Sequence, residues 1–165
     1  MKSILAILIL TFAGIGVARG DAFIGTSMFN LDTDVGDFNG VNLVGGYHFG
    51  DVLGGLFSVR GRYMILAEDE TVNGARVELK DMWGGDIVIT YPVSGAGGLN
   101  PYAFIGQTKA KAKASKNGET ASATDSATNY GAGLTYDVRE AVTVSGELMD
   151  IDGSTMMSFA IKANF

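Results

Sequence analysis

From Met157 to the terminal Phe165 the sequence reads MSFAIKANF, an unbroken alternation of side-chain character that stops on an aromatic residue. Successive side chains of an extended strand point to opposite faces. Met157, Phe159, Ile161, Ala163 and Phe165 therefore share one face, and Ser158, Ala160, Lys162 and Asn164 share the other. The last residues of a soluble domain usually fray, and such a domain gains little from a final exposed phenylalanine. A strand patterned to its last residue predicts a structure that needs this end.

The opposite end carries a different signal. Met1 and Lys2 form a short positive region, Ile4 to Val17 is almost wholly apolar, and Ala18-Arg19-Gly20 places small residues before a cut at Asp21. The apolar run is shorter than the roughly 20 residues of a membrane-spanning helix. Residues 1–20 are therefore expected to be a cleaved secretory signal peptide and residues 21–165 the mature domain. Removing Lys2 and Arg19 makes the chain still more acidic than its net charge of −6.

Export leads to an oxidising compartment, yet the chain has no cysteine, so disulfides and thiolate metal sites are excluded and stability must come from burial and hydrogen bonding. With 24 glycines, two prolines and 47% hydrophobic residues, the chain is too apolar for disorder and too rich in glycine for long helices. No segment after the leader sustains a 3.6-residue period. The reading is a single all-β domain.

Eight strands are expected, at 21–29, 41–49, 55–66, 76–91, 100–113, 124–137, 141–150 and 154–165. Alternation is plain in several. Val41, Leu43, Tyr47 and Phe49 share a face of the second; Phe57, Val59, Tyr63 and Ile65 lie opposite Ser58, Arg60 and Arg62 in the third. In the fourth, Trp83, Ile87, Ile89 and Tyr91 oppose Asp86 and Thr90. In the sixth, Tyr130, Leu134 and Tyr136 oppose Asn129 and Thr135, and in the seventh, Val142, Val144 and Leu148 oppose Thr143, Ser145 and Glu147. The first and fifth strands have no clear phase.

The connections alternate in length. Short ones follow the second, fourth and sixth strands (50–54, 92–99, 138–140). Longer polar ones follow the first, third and fifth (30–40, 67–75, 114–123), and only Ile151 to Gly153 breaks the trend. Transmembrane β-barrels have short periplasmic turns and longer extracellular loops, which would put both termini in the periplasm. A sheet in hydrocarbon must close on itself, because each unpaired backbone group there costs several kcal/mol. The expected fold is thus an eight-stranded antiparallel up-and-down transmembrane β-barrel, with an interior just wide enough for side chains to fill.

The motifs PYAFIG (101–106), NYGAGLTYDVREAVTVSGELMD (129–150) and the closing SFAIKANF (158–165) resemble the C-terminal half of the small outer-membrane β-barrel family that includes OmpA-type, OmpX-type and opacity-type proteins. The likeness is good over about the last 65 residues and is one of pattern before that. It implies residence in the bacterial outer membrane and contact with its lipid. It further implies recognition of Phe165, with Ala163, Ile161, Phe159 and Met157, by the barrel assembly machinery. Functions in such a family span adhesion, envelope maintenance and host interaction through an extracellular surface partner. A periplasmic peptidoglycan-binding domain is not expected.

Catalytic chemistry is not apparent. The single histidine, His48, falls at the expected periplasmic end of a strand, away from the outer rim where an enzyme of this class would place one. Asp32 to Asp37 resembles a calcium loop only superficially, since its sixth position is Asp37 and its twelfth Leu43, where glycine and a bidentate glutamate are needed. No catalytic, metal or cofactor-binding residue is therefore assigned, and an acidic exported chain argues against nucleic acid as a partner.

Three surfaces remain. Tyr47, Tyr91 and Tyr136 are expected in the inner aromatic girdle, and Tyr63 with Trp83 in the outer one. Lys109, Lys111 and Lys113 form a ladder where the fifth strand leaves the membrane, read either as a solubilising stem or as a contact for lipopolysaccharide phosphates. Arg60, Arg62, Asp86, Glu147 and Lys162 are expected to face the lumen as a charge network, with Asp86 meeting Arg60 and Glu147 meeting an arginine across the barrel. Counting along the strands puts Arg62 at the height of Glu147. The alternative to a non-enzymatic membrane barrel is a soluble eight-stranded barrel that binds a small apolar ligand, which would turn its apolar face inward.

Overall fold

The structure, a computed structural model, describes residues 22–34, 36–52, 54–66, 70–72, 75–116 and 119–165. The expected leader lies outside these. Among the described residues nine strands follow in order: β1 (Ala22–Thr33), β2 (Gly36–Val52), β3 (Gly55–Leu66), β4 (Glu70–Val72), β5 (Ala75–Thr90), β6 (Leu99–Lys116), β7 (Glu119–Arg139), β8 (Val142–Ile151) and β9 (Ser154–Asn164). Each neighbour in the sequence β3-β2-β1-β9-β8-β7-β6-β5 pairs antiparallel, and β3 pairs with β5 to close the ring. Eight strands make the wall of the expected barrel.

The seam between first and last strands is zipped to its end. Phe23 faces Asn164 across β1 and β9, Ala22 N–H donates to the Phe165 carbonyl at 3.1 Å, and Phe165 N–H donates back to Ala22 at 2.9 Å. The terminal alternation thus completes the last edge of the cylinder. Because the side-chain period of a strand is 2, one slipped residue here would turn β9 inside out.

Two expectations about connections are corrected. Glu70–Val72 lies within the segment read as a loop, but it pairs with Ala75–Val77 as a ninth short strand. Most of the segments 30–40 and 114–123 is also strand, paired from Asn30↔Asn39 to Thr33↔Gly36 and from Ala114↔Ala121 to Lys116↔Glu119. Above the apolar wall a hairpin has no need to alternate oil and water, so the sequence signal fades while backbone pairing continues. The short β8–β9 connection has a local cause. Asp152 and Gly153 both take positive φ (52° and 85°), as the tight two-residue Asp-Gly hairpin turn demands, and Asp150 Oδ1 accepts from Gly153 N–H at 3.2 Å.

The faces divide as the clear strands required. Ile24, Leu43, Val59, Ile87, Ile105, Leu134, Leu148 and Phe159 stand exposed on the outside of the wall. The two unassigned strands now have a phase. β1 turns Phe23, Ser27, Phe29 and Leu31 inward, and β6 turns Tyr102, Phe104 and Thr108 inward. Their inward rings lie over glycines on the neighbouring strand: Phe29 over Gly40, Phe23 over Gly46, Phe104 over Gly131 and Tyr102 over Gly133, each a cross-strand pair. A Cβ at Gly133 would sit 2.6 Å from the Tyr102 hydroxyl oxygen, so this residue must be glycine if the ring is to lie flat against the wall.

Candidate functional site

The interior is layered. Nearest the β1–β2 and β8–β9 hairpins, Phe38, Met64, Met149 and Met156 are fully or almost fully buried and pack with Phe29, Leu31, Met82 and Ile151. Methionine suits this place because its unbranched, polarizable chain fills irregular space.

Below this apolar layer sits an ionic one. Arg60 and Asp86 are cross-strand partners on β3 and β5, and Arg60 Nε donates to Asp86 Oδ2 at 2.8 Å. Arg60 Nη1 reaches across the lumen to Glu147 Oε2 on β8 at 2.6 Å. Arg62 Nη2 donates to Asp86 Oδ1 at 2.8 Å, and its Nη1 contacts Met149 Sδ. Asn129 Nδ2 donates to Asp86 Oδ1 at 2.8 Å, Thr108 donates to Asn129 Oδ1 at 2.9 Å, and Tyr102 Oη donates to Glu147 Oε2 at 2.8 Å. The Arg60 guanidinium also lies 4.5 Å from the centre of the Phe104 ring. The Arg62 and Asp86 side chains have no exposed surface. At such burial a lone charge would cost several kcal/mol, and here each has an opposite charge and hydrogen bonds.

Four of the five groups expected in a lumen network, Arg60, Arg62, Asp86 and Glu147, are thus brought together, with two corrections. Arg62 does not meet Glu147, because strands in a barrel are tilted and staggered, so equal counts along β3 and β8 do not give equal heights. Lys162 makes no ion pair among the described residues. Its ammonium lies 5.4 Å over Tyr102 and 5.8 Å over Phe23. Sequence reading missed Tyr102, Phe104 and Thr108 because they belong to the strand without a legible phase. Asn129 was visible on the polar face, but nothing in the sequence marked it as a ligand of Asp86.

Lys162 looks into a cavity of about 510 Å³ that spans the lumen between the ionic layer and the chain termini, lined also by Phe23, His48, Val88, Tyr102 and Thr143. His48 Nδ1 and Ser58 Oγ, cross-strand partners on β2 and β3, lie 2.6 Å apart, but Ser58 is only 2% exposed. Both residues line this cavity.

On the outside, Tyr47, Tyr91 and Tyr136 are exposed towards the end that holds the termini, while Tyr63 and Trp83 are a cross-strand pair nearer the opposite end. Tyr130, exposed on β7, was not among the girdle residues expected. Lys109, Lys111 and Lys113 lie across from Ser126, Thr124 and Ser122 on β7. Lys109 Nζ stands 5.2 Å over the Trp83 ring, and Tyr63 Oη donates to Asp81 at 2.9 Å beside it. On β9, Met157, Phe159 and Ile161 are exposed outward, whereas Ala163 is 5% exposed between its cross-strand partners Ile24 and Val142.

A comparison with characterised proteins by sequence gives no match. Solved structures do match in fold. The N-terminal β-barrel domain of Pseudomonas aeruginosa OprF is 18% identical, with a TM-score of 0.61 over 89% of this chain and 100% of that one. Ail, the attachment invasion locus protein of Yersinia pestis, is 16% identical, with a TM-score of 0.57 over 89% and 98%. Neisserial surface protein A is 12% identical, with a TM-score of 0.57 over 92% and 100%. Residues 10–164 match the family described as the outer membrane protein beta-barrel domain. An apolar outer wall, a closed antiparallel ring and this match over nearly the whole sequence place the chain in that outer-membrane barrel family.

Proposed function

We propose that this protein is a non-enzymatic integral outer-membrane barrel whose closed lumen makes it a rigid anchor, holding its long hairpins out for contact with the envelope surface or a host partner. The observation that carries the reading is the pairing of an apolar outer wall with a lumen filled by ion-paired and apolar layers. A soluble ligand barrel would need those faces reversed. In this reading both termini lie in the periplasm, the β1–β2, β3–β5, β6–β7 and β8–β9 hairpins are extracellular, and Phe165 is the element read by the assembly machinery.

The lysine ladder supports a contact with lipopolysaccharide phosphates, since three outward ammonium groups in a row beside Trp83 suit a dense anionic headgroup layer. Among proteins of the same fold, Ail has been crystallised with the heparin analogue sucrose octasulfate, which lends support to polyanions as surface partners.

The test is fractionation of cells expressing the full chain, followed by planar-bilayer recording of the purified barrel. Recovery in the outer membrane, a mobility shift between unheated and heated gels, and no large steady conductance are expected. A soluble periplasmic product or an open pore would overturn the reading.

A further inference from the structure

The cavity next to the termini has a charge imbalance on its inner side. Between the apolar layer and the mouth, the charges that point into the lumen are Arg60, Arg62 and Lys162 against Asp86 and Glu147. Both arginines are committed, Arg60 to both carboxylates and Arg62 to Asp86. Glu147 already accepts from Arg60 and from the Tyr102 hydroxyl. Lys162 lies against two aromatic faces and makes no ion pair among the described residues, Glu147 acting on it only from beyond ion-pair distance. At the mouth, Asp137 keeps its negative charge in an exposed place, held there by Thr143 and Asn100, and exposed Arg139 and Glu140 are of opposite sign, so the positive surplus is confined to the inner end.

We propose that this cavity binds a small organic anion, its charged group on the Lys162 ammonium and its flat apolar body against Phe23, Leu56 and Val88. The volume of about 510 Å³ is within the range of pockets that hold small molecules, and the lining combines an apolar and aromatic side (Phe23, Leu56, Val88, Tyr102) with polar groups, Lys162 and Arg60 standing at the inner end and Asp137, Arg139 and Glu140 at the mouth. Cation–π contact with Tyr102 and Phe23 holds the ammonium in place without neutralising it, so its charge remains available to a ligand. The backbone helps to set this geometry. Gly25, across the strand from Lys162, has no Cβ, and one built there would meet the lysine Cγ at 2.8 Å; the bare backbone lets the lysine stem lie against the wall. The inner end is sealed by the ionic layer, so the ligand enters and leaves past the termini. The inference rests on the lumen geometry and not on which membrane face the mouth opens to.

The experiment uses the folded full chain in detergent micelles, with benzoate and its neutral analogue benzamide as probes, read by amide chemical shifts in NMR. Benzoate should give saturable shifts at Gly133, Thr143 and Lys162 but none at the distant β8–β9 turn, with benzamide about tenfold weaker or less. Lys162→Met, which keeps the apolar stem and removes the charge, should weaken benzoate about tenfold while leaving benzamide unchanged. Equal affinity for the two probes in the unaltered protein would overturn the proposal whether or not the variant folds, as would unchanged benzoate affinity in Lys162→Met. Shifts spread evenly over the outer wall, which mark partition into the micelle, would overturn it too.

Discussion

Asp86 is the residue on which most of the interior converges. It accepts from Arg60, Arg62 and Asn129, whereas Glu147 accepts from Arg60 and Tyr102. Removing one member of a buried pair typically costs about 3–5 kcal/mol, because it leaves an uncompensated charge. Glu147→Ala should fall in that range and Asp86→Ala should cost more, as it leaves Arg62 with no carboxylate and Arg60 with Glu147 alone; equilibrium unfolding in detergent measures both. A double-mutant cycle separates direct from indirect partners. Arg60→Ala with Glu147→Ala should show coupling of about 0.5–3 kcal/mol, and Arg62→Ala with Glu147→Ala distinctly less. Equal coupling in both cycles would contradict the observed pairing. The sequence marked these charges as lumen residues because each sits opposite an apolar face on a strand of clear phase. Their pairing was not legible, because it depends on stagger between strands far apart in the chain.

At the scale of strands, legibility followed how differently the two faces are dressed. β3, β5, β7 and β8 carry polar or charged residues along part of the lumen side against an apolar lipid side, and β2 has an unbroken apolar lipid side, so their phase could be read directly. β1 and β6 could not, since Phe29 and Leu31, or Tyr102 and Phe104, fill the lumen while Ile24, Met28 and Ile105 cover the outside. Those inward rings meet glycines on the next strand, which gives the β6–β7 pair a sensitive point. Gly133→Ala would push Tyr102 off the wall and away from Glu147, and should destabilise the barrel by about 1–3 kcal/mol. The fluorescence-monitored unfolding midpoint checks it, with Gly45→Ala, where a Cβ meets nothing closer than 3.7 Å, as the mild control. β9 poses a separate question, because Phe165 closes the seam with Ala22 as well as being the expected assembly signal. Deleting Phe165 should lower the amount of folded barrel in the membrane far more than deleting Asn117 between β6 and β7. Equal yields from the two deletions would remove the terminal residue from any role in assembly.

For the molecule as a whole, the two lumen layers are stacked in series, and this determines what a mutation can open. The ionic layer crosses the barrel from β3 to β5 and β8, and the methionine-rich layer lies beyond it towards the hairpins. A conducting path needs both to yield. Arg60→Ala with Glu147→Ala deletes the cross-lumen bridge but leaves Phe38, Met64, Met149 and Met156 packed across the far end, an apolar constriction that water and ions avoid. That variant should lose stability without gaining steady conductance. Met64→Ala with Met156→Ala should likewise stay closed, because Arg62 and Asp86 remain bonded and sealed beneath. Only the quadruple variant, thinned in both layers, should carry measurable current in planar bilayers, provided its heat-dependent gel shift shows that the ring is still closed. Steady current through either double variant would mean that one layer alone seals the lumen.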